Sequence, residues 1–257
     1  MTGKKSSVAK EENHMSLHIT DRRSFIRSLP VFGMLGLTDP ICLIRNALAM
    51  GSKDFPQGLN EIKGDVRING LPAQPGALVK PGDRVTTGPP ESRAIFVVGQ
   101  DAYLLRENTH VEINSSSGDL KEQVSDLLRV VRGKMLAVFG KGDKRIETPT
   151  VIAGIRGSGM YTEVEPERTY ICTCYGVFDV YPVNKPDQGE HIVARHHEYP
   201  RYIYASGDTQ KIIGHAPMIN HTDAELILLE SLVGRKPPFA QKEFKNSYGQ
   251  GGNGGGY

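Results

Sequence analysis

Short segments that alternate polar and apolar residues recur between residues 65 and 139 and predict β-strands. Asp65 to Ile68 alternates in this way and runs into Asn69-Gly70, the dipeptide typical of a type I′ hairpin turn. The run from Ala94 to Val98 is apolar throughout, which predicts a buried strand. Such segments follow one another too closely to leave room for crossover helices. The sequence therefore predicts an all-β domain, built as a roll, a solenoid or a sandwich.

One α-helix is expected near the C-terminus, over about residues 223–233. Thr222 and Glu225 have the spacing of a capping box, and the leucines that follow recur at helical spacing. Gly234, with two prolines shortly after it, ends the helix. The Gly-rich residues 245–257 are expected to be disordered.

Composition and charge exclude several classes of protein. Of the 257 residues, 38% are hydrophobic and 23% are charged, which suits a packed core and argues against wholesale disorder. The formal net charge of +2 arises in the first 49 residues, so the remainder is close to neutral and gives no electrostatic case for nucleic acid. The chain has no Gly-rich phosphate loop, nucleophile elbow or HExxH motif, so we expect a protein that is not an enzyme.

The N-terminal segment resembles a bacterial twin-arginine export signal. The resemblance rests on Arg22 and Arg23, on Phe25 at the aromatic position, and on Arg27 as the following base. It departs at Asp21, where that motif has Ser or Thr. The other interpretation is a cytoplasmic protein with a basic N-terminal arm.

The residues after this motif have the order of a cleavable signal. A modestly apolar stretch follows, and Asp39-Pro40 interrupts it too strongly for a stable membrane span. Ala47-Leu48-Ala49 then matches the small-x-small cleavage pattern. We therefore expect an export signal over residues 1–49 and a mature protein in the periplasm or outside the cell, without a stable membrane span after cleavage.

Several short motifs between Gly64 and about Tyr181 resemble, in their number and order, those of the FecR domain. The motifs are Gly64-Asp65-Val66, Asn69-Gly70, Pro81-Gly82-Asp83-Arg84-Val85-Thr86-Thr87-Gly88, Leu105-Arg106-Glu107-Asn108, Val131-Arg132-Gly133, Thr148-Pro149-Thr150 and Ile155-Arg156-Gly157-Ser158-Gly159. Their Gly, Asn and Pro residues suit tight turns, so we interpret them as determinants of the fold. The resemblance implies a FecR-like β domain over residues 50–181, working outside the cytoplasm.

The chain departs from well-known FecR proteins before this domain. Those proteins carry a cytoplasmic anti-sigma segment and a membrane helix there, whereas about twenty residues precede the arginine pair here, too few for a folded domain. Sigma-factor regulation in iron uptake is therefore not carried over. We expect a stand-alone binding or sensing module whose partner is an unidentified protein or component of the cell envelope.

Thiol and imidazole groups are concentrated at the end of this domain and in the C-terminal extension, residues 182–244. Cys172 and Cys174 face the same way if they lie on a strand, with Cα atoms roughly 6.5–7 Å apart. That separation lies at or beyond the limit for a disulfide, but two such sulfurs can share a metal ion. Histidines then follow as candidate ligands: His196, His197, His215 and His221.

Three interpretations of these residues stay open. The first is a site for one zinc, copper or iron ion, formed by both cysteines and some of the histidines. The second is a Cys172–Cys174 disulfide in a scaffold that binds protein or cell-wall glycan, because the expected compartment is oxidising. The third is ordinary packing and surface histidines. If the segment with His196 and His197 is extended, only one of the two can contribute.

Overall fold

The computed structural model describes residues 56–114, 126–206 and 212–240, which contain fourteen β-strands, one α-helix and a short 3₁₀ helix at Pro186–Gln188. The predicted export signal at 1–49 and the predicted disordered tail at 245–257 lie outside these residues. The strands are β1 Gly58–Lys63, β2 Val66–Ile68, β3 Leu71–Pro72, β4 Arg84–Thr87, β5 Arg93–Val98, β6 Asp101–Leu105, β7 His110–Asn114, β8 Leu127–Val138, β9 Asp143–Glu147, β10 Val151–Val164, β11 Arg168–Pro182, β12 Glu190–Ala194, β13 Arg201–Tyr204 and β14 Ile213–His215, and the helix is α1 Asp223–Leu232. The prediction of an all-β fold with one C-terminal helix is confirmed.

The turn between β2 and β3 follows from its two residues. Asn69 and Gly70 have φ angles of 53° and 83°, and a type I′ turn requires positive φ at both central positions. The register continues directly into the Ile68–Leu71 pair. The hairpin that Asn69-Gly70 predicts is therefore present.

The strands form one connected sheet in which the long strands change partner along their length. The first part of β10 pairs with β9 and its second part with β8. β11 pairs with β13 at its start and with β12 towards its end, and β10 lies along its other edge. β8 passes close to the loop before β7 at Gly133, where φ is +93° and an added Cβ would lie 2.4 Å from Thr109 Cα. Glycine is therefore required for the path of β8.

Apolar side chains of the sheet are divided between two buried clusters. The large core includes Phe96, Tyr103 and Met135. The second cluster, which we call the helix-covered core, contains side chains from β5, β6, β8, β10 and β11 together with those of α1: Ile95, Val97, Ala102, Leu104, Leu136, Val138, Tyr161, Tyr170, Cys172, Cys174, Tyr175, Leu226, Leu228, Leu229, Leu232 and Val233. Successive residues of a strand face opposite ways, so β5 and β6 contribute to both clusters. This explains why the sequence of β5 is apolar throughout.

Helix α1 begins at a complete capping box. The Glu225 backbone N–H donates to Thr222 Oγ1 at 3.3 Å, and the Thr222 backbone N–H donates to Glu225 Oε2 at 2.9 Å. Leu226, Leu229 and Leu232 pack into the helix-covered core. No helix among the described residues has the length and apolar character needed to cross a membrane.

Candidate metal centre

The two cysteines lie in the middle of β11 and face the same side of the sheet. Both are fully buried in the helix-covered core, and both are free thiols. Cys172 is paired in register with Tyr161 of β10, and Cys174 Sγ lies 3.7 Å from the carbonyl oxygen of Cys172. The expected placement of both sulfurs on one face of a strand is therefore present.

The turn after β12 brings His197 to these cysteines. Its backbone N–H donates to the carbonyl oxygen of Cys174 at 2.9 Å, and the Arg195 backbone N–H donates to Glu198 Oε2 at 2.8 Å. His197 has a φ of +56°, an unusual backbone conformation for a residue with a side chain. The segment is thus a turn and not an extended strand. The condition under which only one of His196 and His197 could contribute is not met.

His221 lies two residues before the start of α1 and is also buried. Its ring stacks on Tyr161 with centroids 4.6 Å apart and an interplanar angle of 19°. Its Nδ1 lies 2.6 Å from the carbonyl oxygen of Ile219, which can only accept, so Nδ1 carries the proton. This leaves the lone pair of His221 Nε2 directed to the interior.

The four side chains converge on one point. One ligand atom from each of Cys172, Cys174, His197 and His221 lies within 4.8 Å of the other three. His197 Nδ1 is 3.5 Å from Cys172 Sγ and 3.1 Å from His221 Nε2. The contributing elements are a strand, a turn and the segment before a helix, which are separated along the chain and meet here only through the fold.

Asp223, the first residue of α1, determines the tautomer of His197. Its Oδ1 lies 3.0 Å from His197 Nε2, and because a carboxylate only accepts, Nε2 carries the proton and Nδ1 has a free lone pair. A carboxylate behind an imidazole in this way is the usual outer partner of a metal-binding histidine. The sequence interpretation did not include Asp223. The sequence feature that could have identified Asp223 is an acidic residue two positions after His221, at the predicted start of a helix.

With these tautomers, the site places two unprotonated nitrogens 3.1 Å apart. Their lone pairs repel each other unless a proton or a metal ion lies between them. Cys172 adds negative charge, because a hydrogen bond with Cys174 lowers the pKa of Cys172 despite its burial, whereas burial raises the pKa of Cys174. The arrangement therefore places two sulfurs and two nitrogens where they could hold one cation.

The same groups act on the pKa values of their outer partners. Burial alone would lower the pKa of His197, but Cys172 and Asp223 raise it overall. Burial alone would raise the pKa of Asp223, but hydrogen bonds from His196 and His197 lower it overall. Asp223 is therefore a carboxylate, as its role as an acceptor requires.

Part of the chain is similar to solved structures. Two crystal structures, at 1.65 Å and 2.50 Å resolution, are of a protein from Parabacteroides distasonis provisionally assigned as an anti-sigma factor. Each superposes with a TM-score of 0.41 at 11% sequence identity, covering 51% of this chain and 59% of that chain. The match thus extends over about three fifths of that protein, and it is a partial likeness in fold. No protein-family model and no curated protein matches the sequence.

The structure brings together only four of the six residues predicted as ligands. Cys172, Cys174, His197 and His221 come together, whereas His196 belongs to a second, outer group with Asp223 and His197. His215 lies apart on β14, where it is exposed and its Nδ1 is 3.3 Å from Arg201 Nη1. The structure does not bring His215 to the site, because the pairing of β14 with β13 places it opposite Arg201.

Proposed function

We propose that this protein is an exported, non-enzymatic module of the FecR type that binds one metal ion through Cys172, Cys174, His197 and His221. The observation that carries the proposal is the convergence of these four ligand atoms within 4.8 Å, with both histidine tautomers directing a lone pair inward. Two thiolates and two imidazoles form the tetrahedral set that zinc prefers. Copper(I) and iron are the other metals this donor set accepts.

The completeness of the donor set supports a structural or sensing role. Four protein ligands fill a tetrahedral shell, whereas catalytic zinc sites keep one position open for water or substrate. The cysteines and His221 are buried, so substrate would have no access to the ion. The FecR-like motifs favour the same conclusion, since that resemblance implies a binding or sensing module.

Metal binding would add a link between the sheet and the start of α1. The ion would link β11 to the turn after β12 and to His221, which directly precedes the helix cap. Loss of the ion would leave α1 held by its leucines and by contacts such as the Arg106–Glu225 ion pair of 2.8 Å. A partner that recognises this end of α1 could therefore distinguish the loaded protein from the metal-free one.

The direct test is metal analysis of the full-length protein purified from the periplasm without chelators. We expect one metal ion per chain in the wild type and none after Cys172→Ser with Cys174→Ser. His215→Ala is the matched control and should keep the metal, because His215 lies apart from the group. X-ray absorption should give sulfur at about 2.3 Å and nitrogen at about 2.0–2.1 Å from the ion.

Other outcomes of this experiment would contradict the proposal. Protein with no metal and no free thiol would favour the disulfide-linked scaffold that binds protein or cell-wall glycan. Protein with free thiols and no metal, even after zinc is added, would leave only a packing role for these residues. Loss of metal in His215→Ala would show that the donor set is wrong.

Export is tested separately. Replacing Arg22 and Arg23 by Lys should trap the precursor in the cytoplasm, because the transporter recognises the arginine pair. N-terminal sequencing of the mature wild-type protein should find Met50 or a near neighbour. Normal secretion of the Lys variant would contradict the twin-arginine route.

A further inference from the structure

A second group of ligand atoms lies outside the buried one and shares a residue with it. His196 Nε2 is 2.9 Å from both carboxylate oxygens of Asp223, and His197 Nε2 is 3.0 Å from Asp223 Oδ1. The side chains of His196 and Asp223 are 46% and 44% exposed, but that of His197 is only 6% exposed. His197 thus has one nitrogen in each group, with the buried site on one side and the solvent-accessible pair on the other.

His196 also lines a surface cleft of about 690 Å³. Its ring stacks on Phe239 with centroids 4.5 Å apart, which holds it at the cleft wall. Glu198 lines the same cleft, and its carboxylate accepts from the Arg195 backbone N–H at 2.8 Å. The cleft therefore presents an imidazole and a carboxylate to solvent, and the Asp223 carboxylate lies 2.9 Å from that imidazole.

We propose that His196 and Asp223 form a loading site, at which a metal ion is captured from solvent before it passes to the four buried ligands. This inference rests on the proposed function of the buried site. The ion would bind first to His196 Nε2 and to an oxygen of Asp223, an imidazole–carboxylate pair that suits divalent transition metals. The ion would then pass beside His197, the residue common to both groups, to the four buried ligands.

The protons of this transfer can be followed from the hydrogen bonds. Binding to the outer pair displaces the proton between His196 Nε2 and Asp223; solvent takes it up, and a neutral ring gains a proton on Nδ1 from solvent so that it stays an imidazole. Each thiol that is protonated loses its proton to solvent when its sulfur binds the ion. Asp223 is then free of the metal and again accepts the His197 Nε2 proton, which keeps His197 Nδ1 directed at the ion.

A loading site has a kinetic consequence that separates it from a ligand and from a steric barrier. A loading site lowers the activation free energy of both metal loading and metal release. It leaves the free energy of metal binding unchanged. Removing it should therefore slow loading and release by the same factor. The described hydrogen bonds of His196 go to Asp223 and not to any of the four buried ligand atoms, so its loss should leave the affinity unchanged.

The experiment measures binding of Co²⁺ to full-length metal-free protein by stopped-flow, using the thiolate-to-cobalt absorption band, and release of Co²⁺ to an excess of chelator. We expect His196→Ala to slow both processes about tenfold with an unchanged equilibrium affinity. His196→Gln, which keeps the bulk of the side chain at the cleft, should slow both processes similarly. His191→Ala is the matched control, because His191 forms an exposed pair with Asp179 at 2.6 Å away from this cleft, and it should behave as the wild type.

Three results would overturn the loading site. Unchanged rates in both His196 variants would show that the ion takes another route. Faster loading in His196→Ala would show that the ring only obstructs the cleft. A tenfold loss of affinity would make His196 a ligand of the bound ion. If the wild type gives no thiolate-to-cobalt band at all, the proposed function itself fails.

Discussion

The two buried clusters of this protein face opposite sides of the same strands but differ in chemistry. The large core is built from aliphatic and aromatic side chains, such as Phe96 stacked on Tyr103 with centroids 4.9 Å apart. The helix-covered core contains two free thiols and lies against the imidazole of His221. Burial of apolar surface stabilises the first cluster without any contribution from metal ions. We expect the stability of the helix-covered core to change with metal and with pH, because the charges of its polar groups change.

The largest effect should come from the large core and should not depend on metal. Phe96→Ala removes a side chain that is 0% exposed and leaves a cavity, so it should lower the free energy of unfolding by about 3–5 kcal/mol. Urea denaturation should give the same loss of unfolding free energy for Phe96→Ala with and without added zinc. Leu71→Ala, at a side chain that is 71% exposed, should change stability by no more than about 0.5 kcal/mol. A loss at Phe96 that zinc repairs would break the distinction between the clusters.

Metal removal should destabilise the helix-covered core next most strongly. At a free metal concentration of one hundred times the dissociation constant, binding contributes about 2.7 kcal/mol to the free energy of unfolding. A chelator should remove this contribution from the wild type. The variant with Cys172→Ser and Cys174→Ser should show no such dependence. An equal chelator effect in both proteins would mean that the ion binds elsewhere.

Removing the helix cap should lower stability by less than metal removal does, and it should also weaken metal binding. Thr222→Ala removes the acceptor for the Glu225 backbone N–H and should cost about 1 kcal/mol. It should also weaken metal binding in a titration, because the cap positions the neighbouring His221. Ser231→Ala is the control within the same helix: its hydroxyl donates to the Leu228 carbonyl at 2.6 Å, and we expect normal metal affinity. Unchanged affinity in Thr222→Ala would separate the cap from the site.

The smallest effect concerns Asp223 in the metal-free protein. Its pKa is lowered in the folded state, so its contribution to stability is complete above the ordinary carboxyl pKa and is lost as the pH falls through the lower, folded value. Because the Asp223 side chain is 44% exposed and solvent screens its charge, the contribution should be below about 1 kcal/mol. The free energy of unfolding between about pH 6 and pH 3 should therefore fall less in Asp223→Asn than in the wild type. Parallel curves would show that the carboxylate adds nothing to stability.

Much of the fold could be predicted because it depends on neighbours in the sequence. Asn69-Gly70 adopts positive φ at both residues wherever a tight hairpin is needed, and Thr222 with Glu225 caps a helix through contacts three residues apart. The apolar run of β5 indicated burial on both faces. The changes of partner along β8, β10 and β11 could not be predicted, since they depend on where distant strands meet.

The candidate site divides in the same way. By itself, the sequence determined that Cys172 and Cys174 face one side of a strand, because side-chain direction on a strand has a period of two. Only the tertiary structure decided that His197 and His221 join them, that His196 lies outside, and that His215 lies apart. It also supplied Asp223, which sets the tautomer of His197. These choices depend on the register of β12 against β11, the left-handed turn at His197 and the packing of α1, and such long-range contacts form only when the whole chain is folded.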